Sequence, residues 1–472
     1  MPEADPRLAL LRATIGSRTY LGRTATGLAL SPSEHATLVI GPPRSGKSSG
    51  LVVPNVLAAP GPVVSTSTKS DVADATLSVR RGLGTCWLFD PSGTVARPEG
   101  VEALRWSPVV AARRFDDALV VARALTGAAR PDTRSGESVH WAERAEALIA
   151  PLLHAAALGG TGMRQVLRWV LTHDLDTPGS ILAGGQARLA GQVVEGIAKS
   201  DQRELSGIWS TAASVLAGYR SEAVLSGTDR PNFHPAGFSS SCDTVYICAP
   251  AARQELVSPI VTAFLASLRA DAYARHAAGG PTRGPLLLAL DEVANIAPLP
   301  DLPATVSEAG GQGVMVLACL QDLSQARHRW GARADGLLTL FGTKVVLGGV
   351  ADQATLELVS SLAGEADVPM PSVTRGSWWR PAASETWSLR RQRRLPVDAV
   401  RELQPGQAIV LCGAEPPTRV SAPGWWQVSP FAPRLGVEPP APRPPELGAP
   451  GPFRGSDPPR TRLADLGRGL FP

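Results

Sequence analysis

Lysine is nearly missing from this chain: four in 472 residues, at Lys47, Lys69, Lys199 and Lys344, against abundant arginine. The bias reads as the mark of a GC-rich genome rather than of a function. Cysteine is sparse too. Cys86, Cys242, Cys248, Cys319 and Cys412 form no C-x-x-C pair. That sets aside a zinc site and a disulfide framework, and predicts reduced, partly buried thiols in a cytosolic protein. No stretch reaches the roughly 18 uninterrupted apolar residues of a membrane-spanning helix. The best run, Ala145–Leu158, is broken by Pro151 and His154. The first residues are acidic and lack an apolar h-region, so no signal peptide is expected. Charge of one sign is also lacking: 46 Lys and Arg against 42 Asp and Glu leave +4. That permits a polyanionic partner without requiring one. The expected location is cytoplasmic, or peripheral at the cytoplasmic membrane through a partner.

What is present is ordinary globular material, 44% hydrophobic, at a length that suggests two or three domains. Residues 1–36 read as a lead-in. From Thr37, compact apolar runs ("ATLVIG", "GPVVSTSTKSD", "TCWLFDPSG") alternate with helix-like stretches. Strands alternating with helices imply a parallel, helix-covered sheet, here over 37–112. Over 113–228 the pattern is helical; in "VHWAERAEALIAPLLHAAAL" Trp141, Leu148, Leu152 and Ala155 recur at helical spacing. This predicts an inserted all-helical domain. The α/β pattern resumes over 229–435 with "CDTVYICAP", "GPLLLALDEVAN", "GVMVLACLQD", "GTKVVLGGV" and "GQAIVLCG", runs suited to strands buried on both faces. Residues 436–472 are rich in proline and glycine and are expected to be disordered.

The motif that organises the rest is "LVIGPPRSGKSSGLVVPN". Its spacing is G-x-x-x-x-G-K-[ST], after one predicted strand and before one predicted helix, the context a phosphate-binding loop needs. Such a loop aims backbone N–H groups inward at the positive end of a helix. The candidate nucleotide-binding residues are Gly41, Pro42, Pro43, Arg44, Ser45, Gly46, Lys47, Ser48 and Ser49. Lys47 would reach the β- and γ-phosphates of ATP, and Ser48 would offer its hydroxyl to Mg2+.

"PLLLALDEVAN" runs into Asp291 and Glu292. A buried strand ending in two acids places them at the carboxyl edge of the sheet, where ligands bind. Asp291 would hold Mg2+ through water, and Glu292 would polarise the attacking water. The ordinary alternative is an acid pair capping a helix. "VMVLACLQD" ends in Gln321, a candidate for touching the γ-phosphate or the water, with a structural amide as the alternative. An arginine acting in trans could come from Arg203, Arg220, Arg327, Arg329 or Arg380, and sequence does not choose among them. "RRQRR" (Arg390, Arg391, Arg393, Arg394) could contact a polyanion but more often marks a solvated surface turn. "SWWR" and "GWW" could stack on bases, though packing at the sheet edge is the commoner use.

Taken in order, these residues resemble the TraG/TraD-type coupling-protein ATPases of conjugative type IV secretion. The likeness runs from Leu21 to Trp426. It rests on "IGPPRSGKSSGLVVPNVL", "VVSTSTKSDV", "LFDPSG" with "RWSPV", "LALDEVANIAPLPDLPATVSEAGGQG" and "LACLQDLSQARHRWG", with closing segments "LFGTKVVLGGVADQATLELVSSLAGE" and "RRLPVDAVRELQPGQAIVLCGAEPP". The resemblance implies an α/β, RecA-like P-loop NTPase motor domain carrying an inserted all-α domain. It implies a homo-hexameric ring with ATP between subunits. The ring would pass DNA, single-stranded and bound to a relaxase, or a protein substrate, to the membrane components of a type IV secretion channel. Three departures stand out. There is no N-terminal pair of membrane helices. Gly310, Gly311 and Gln312 stand where members often carry a basic residue. "TKSD", with Lys69 and Asp71, replaces an Asp-Lys-Gly-Glu-like turn. Two other readings remain at this stage: a nucleotide-gated docking adaptor with little hydrolysis, and another hexameric DNA translocase.

Overall fold

The structure is a computed structural model, and it describes residues 6–130, 136–185, 187–235, 237–280, 283–374 and 384–432. The tail at 436–472 and the "SWWR" segment with Arg380 lie outside the described residues.

Fourteen strands are described: β1 Tyr20–Thr24, β2 Gly27–Leu30, β3 Thr37–Ile40, β4 Val63–Ser67, β5 Cys86–Phe89, β6 Glu102–Ala103, β7 Thr244–Cys248, β8 Leu286–Leu290, β9 Val314–Leu320, β10 Thr343–Leu347, β11 Glu365–Thr374, β12 Ser384–Arg393, β13 Gln407–Cys412 and β14 Thr418–Ser421. Twelve form one sheet, in the order β2-β1-β14-β13-β10-β3-β9-β8-β4-β7-β5-β6. From β10 to β6 every pairing is parallel; β13, β14, β1 and β2 add antiparallel neighbours at the other side. Of the runs read as strands buried on both faces, β7, β8 and β9 are buried along their whole lengths, as are β3 and β4, while β10 leaves Lys344 half-buried and β13 exposes Gln407. Helices cover both faces of such a sheet, so their sequences need no polar alternation.

The lead-in turns out to be part of the sheet. β1 and β2 pair with each other, and β1 pairs with β14. β1 mixes Arg23 and Thr24 with its apolar residues and β2 is four residues long and only half-buried, so they carry little of the apolar signal by which the other strands announce themselves. The helix Pro6–Ile15 precedes them and buries Leu8, Leu11 and Ile15.

Between β6 and β7 the described residues from Phe115 to Ser226 hold helices and no strand, the longest being Gly136–Leu158. They share one hydrophobic core with the sheet rather than standing apart from it. Aromatic rings meet within that core. Phe89 at the end of β5, Trp106 and Phe264 meet with ring centroids 4.7, 5.4 and 6.5 Å apart. Phe264 lies on the long helix Gln254–Ala277 that follows β7.

A candidate nucleotide site at three strand ends

Gly41 follows β3, Gln321 follows β9 and Asp291 follows β8, and these three strands are neighbours. Parallel alignment puts all three carboxyl ends on one edge. Gly41 N–H donates to Leu320 O at 3.1 Å, so the loop and the Gln321 segment start side by side.

The loop has the backbone its sequence asks for. Arg44 (φ 66°) and Gly46 (φ 95°) take left-handed conformations, which turn successive N–H groups toward one point. A Cβ on Gly41 would stand 2.6 Å from Ser45 Oγ and 3.0 Å from Leu347 Cβ, so a larger residue would have to displace both. Ser45 Oγ is buried and has no hydrogen-bond partner among the described residues. Pro43 and Arg44 are exposed. The buried Lys47 donates from Nζ to Gly41 O (2.6 Å) and Pro42 O (2.8 Å). An ammonium has three donors, which leaves one for a phosphate oxygen.

The helix after the loop opens with a wide π turn over Lys47–Val52 and continues as α-helix over Val53–Ala58. Val53 N–H bonds Ser48 O, five residues back. The cause is Pro54, which has no N–H and crowds the carbonyl four residues before it. Three contacts then hold this helix. The side chain of Asn55 accepts from Tyr20 N–H (2.7 Å) and donates to Tyr20 O and Leu51 O, both 2.9 Å. Arg12 Nη2 donates to Leu57 O at 2.9 Å, on the helix's last turn. A Cβ on Gly50 would meet Ala422 O at 2.5 Å, so the helix lies close against the residue after β14.

Ser48 and Asp291, 243 residues apart in the chain, are joined: Ser48 Oγ donates to Asp291 Oδ2 at 2.5 Å. Asp291 is 7% exposed. Burial pushes its carboxyl above the ordinary carboxylate range, opposed by the Ser48 hydroxyl and the Lys47 charge. A buried, under-compensated carboxylate beside a hydroxyl is a donor set suited to a hard divalent cation. Thr66 Oγ1 on β4 donates to Asp291 O (2.8 Å) and holds the main chain there. Glu292 follows in a left-handed conformation, φ 51° and ψ 48°. That is a strained state for a non-glycine residue. Its carboxylate accepts from Asn295 Nδ2 at 3.4 Å and is only half buried. Gln321 N–H donates to Gln325 Oε1 at 3.0 Å, fixing the main chain from which its own amide projects.

The structure thus brings together Gly41–Ser49, Asp291, Glu292 and Gln321. Sequence reasoning missed Thr66 and Arg12 as supports; nothing in a buried "VVSTS" or an exposed-looking "ALLRAT" singles them out. Of the arginines, Arg203 is exposed on the helix Gln202–Val215. Arg220 donates to Ala213 O (3.0 Å) and is exposed. Arg327 and Arg329 lie on the helix Leu323–Trp330 just after Gln321. Gly310 lies at the far end of β9 from the loop, and a Cβ there would come 2.1 Å from Glu34 O. A side chain of any kind is excluded at that position, while Gly311 is open. "RRQRR" is not a turn: Arg390, Arg391 and Arg393 lie on β12. In "GWW", Trp425 packs against the apolar cluster that holds Val56, Val420 and Phe431, while Trp426 stays 37% exposed. Among the described residues no group of three or more His, Cys, Asp or Glu could hold a metal, and no helix is long and apolar enough to cross a membrane.

A parallel sheet with a glycine-rich loop between strand and helix, and a second strand ending in acids at its side, defines a phosphate-loop α/β protein. The chain belongs to the type IV secretory system conjugative DNA transfer family, whose signature matches residues 14–438. Solved structures of the bacterial conjugative coupling protein TrwB share its fold, a RecA-like core with an all-α part. The unbound form aligns at 19% identity and a TM-score of 0.66, over 88% of this chain and 90% of that one. TrwB in complex with a non-hydrolysable ATP analogue, and with ADP and Mg2+, each align at 19% identity and 0.64 over 88% and 92%. No curated protein matches the chain in sequence.

Proposed function

We propose that this protein is an ATP-driven coupling motor that delivers DNA, or a protein substrate, to a type IV secretion channel. The observation that carries the reading is the Ser48–Asp291 contact, which joins the two halves of a nucleotide site beside Gln321. Gly41–Ser49 would cradle the phosphates of ATP through backbone N–H groups, with Lys47 on the β- and γ-phosphates. Ser48 and Asp291 would hold Mg2+, which when bound neutralises charge on the transferred phosphoryl group. Glu292 orients and polarises the attacking water, and Gln321 touches that water or the γ-phosphate. The domain division that goes with this is a motor at 37–112 and 229–435 and a helical insert at 113–228. The partners are a relaxase-bound DNA strand, the secretion membrane components and further copies of this chain in a hexameric ring.

ATP turnover tests it, measured for wild type and Glu292→Gln across protein concentration, with and without single-stranded DNA. Wild-type turnover should rise with concentration and with DNA. Glu292→Gln should bind ATP and lose turnover by a hundredfold or so, the range for positioned acid–base groups. A Glu292→Gln variant that hydrolyses like wild type removes Glu292 from the mechanism. A docking adaptor with little hydrolysis is the second reading, favoured by the crowding that bars a basic side chain at Gly310. It predicts ATP binding without turnover and indifference to DNA.

A further inference from the structure

Outside the large sheet, β11 and β12 form a two-stranded antiparallel ribbon with Glu365 opposite Arg393 and Thr374 opposite Ser384. Each strand has ten residues, so the ribbon reaches on the order of 30 Å. Directly opposed residues share a face. One face therefore carries, from the base outward, Arg393, Arg391, Leu389 and Trp387, opposite Glu365, Asp367, Pro369 and Pro371. Leu389 is 73% exposed and Trp387 61%. An isolated ribbon of two strands is marginal in water, and an aromatic this exposed contributes little to it.

The base of the ribbon is tied to the candidate nucleotide site. Just past Gln321, Leu323 N–H donates to Thr355 Oγ1 at 3.0 Å, on the helix Gln353–Ala363 that leads into β11. On the same helix Glu357 pairs with Arg393 (2.7 Å), and Ser360 Oγ donates to Leu395 O (2.6 Å). The Gln321 segment and the ribbon are thus joined through one short helix.

We propose that the ribbon is the arm with which this protein grips single-stranded DNA, with Arg391 on a phosphate and Trp387 stacked on a base. The inference rests on the motor reading above and names the element that touches the polymer. Residues 365–394 carry six arginines against three acids, a surplus that favours a polyanion, with Glu365 and Asp367 standing opposite Arg393 and Arg391. Arg391 is paired with Glu365 at 2.8 Å, but its side chain is 76% exposed, and exposed pairs of this kind are weak enough for a phosphate to displace. Basic groups and an exposed aromatic on one face are what a sequence-tolerant single-strand contact combines.

The test is the affinity of the full chain for a fluorescein-labelled single-stranded oligonucleotide over a range of salt, with circular dichroism and melting temperature reporting that each variant is folded. Trp387→Ala should weaken binding by about tenfold or more. Arg391→Ala should weaken it and flatten the slope of log K against log salt by about 0.7. Arg390→Ala, on the opposite face, should do less than Arg391→Ala. Glu365→Gln, which frees Arg391 from its carboxylate, should bind more tightly, a gain that misfolding cannot imitate. Wild type that binds with a salt-dependent affinity matched by all four variants overturns the ribbon's role and leaves the motor reading standing. Wild type that binds no DNA overturns the ribbon's role and the DNA branch of the motor reading, and leaves only a protein substrate for the motor. Variants that bind DNA like wild type but sediment as smaller species show the ribbon to be a contact between copies, which also overturns the proposal.

Discussion

Glu292 is held in a backbone state that costs a non-glycine residue about 1–2 kcal/mol, directly beside a carboxylate that burial has already made reluctant to ionise. Both strains are local, and neither is relieved by the helix Val293–Ile296 that follows. The backbone strain makes a measurable prediction. At most exposed positions glycine is less stable than alanine by about 0.5–1 kcal/mol. Here the order should invert: Glu292→Gly should unfold at higher denaturant than Glu292→Ala, by about 1 kcal/mol. Urea titration of the two variants checks it, and the usual order would mean that Glu292 is not constrained in solution.

Among elements, the helix carrying Lys47 and Ser48 is positioned from outside the loop. Asn55 stands in for a strand by offering its amide to both main-chain groups of Tyr20, and Arg12 supplies a donor to Leu57 O. Arg80 does similar work at the opposite edge of the sheet. It is fully buried and bonds Thr244 Oγ1, Ala59 O, Gly61 O and Cys242 O, with no carboxylate among those partners. Burial lowers its pKa to about 10, so it stays charged at neutral pH. Asn55→Ala would leave Tyr20 N–H and O buried and unpaired, at about 1–3 kcal/mol for each such group. The expected outcome is a loss of at least about 2 kcal/mol in chemical denaturation. Wild-type stability in that variant would show that β1 does not depend on the helix.

At the scale of the whole molecule, the helical stretch and the strand-bearing stretches of the sequence contribute to one core. The helical segment and the sheet share a core running from Leu38 through Trp169 and Trp209 to Phe264. A continuous core of this kind favours cooperative unfolding. Far-ultraviolet dichroism and tryptophan fluorescence should therefore report one coincident transition for the ligand-free protein. Two separated transitions would show that the helical segment unfolds on its own, despite the shared core.

The central strands, the loop and the acidic pair were legible in the sequence, because each rests on local chemistry. A strand buried on both faces must be apolar throughout, and a phosphate loop needs its glycines and lysine in a fixed spacing. Even the order of the segments named a family. What the chain order could not convey is adjacency. The motifs assign Ser48 and Asp291 to one cation, but their direct contact follows from β9 alone standing between β3 and β8. Nor could hydropathy show that Tyr20 lies in the sheet, that one arginine of "VRRG" is fully buried, or that "RRQRR" lies on a strand rather than a turn. Those outcomes depend on which partner each polar group finds, and partners from distant parts of a chain meet only when the fold has closed.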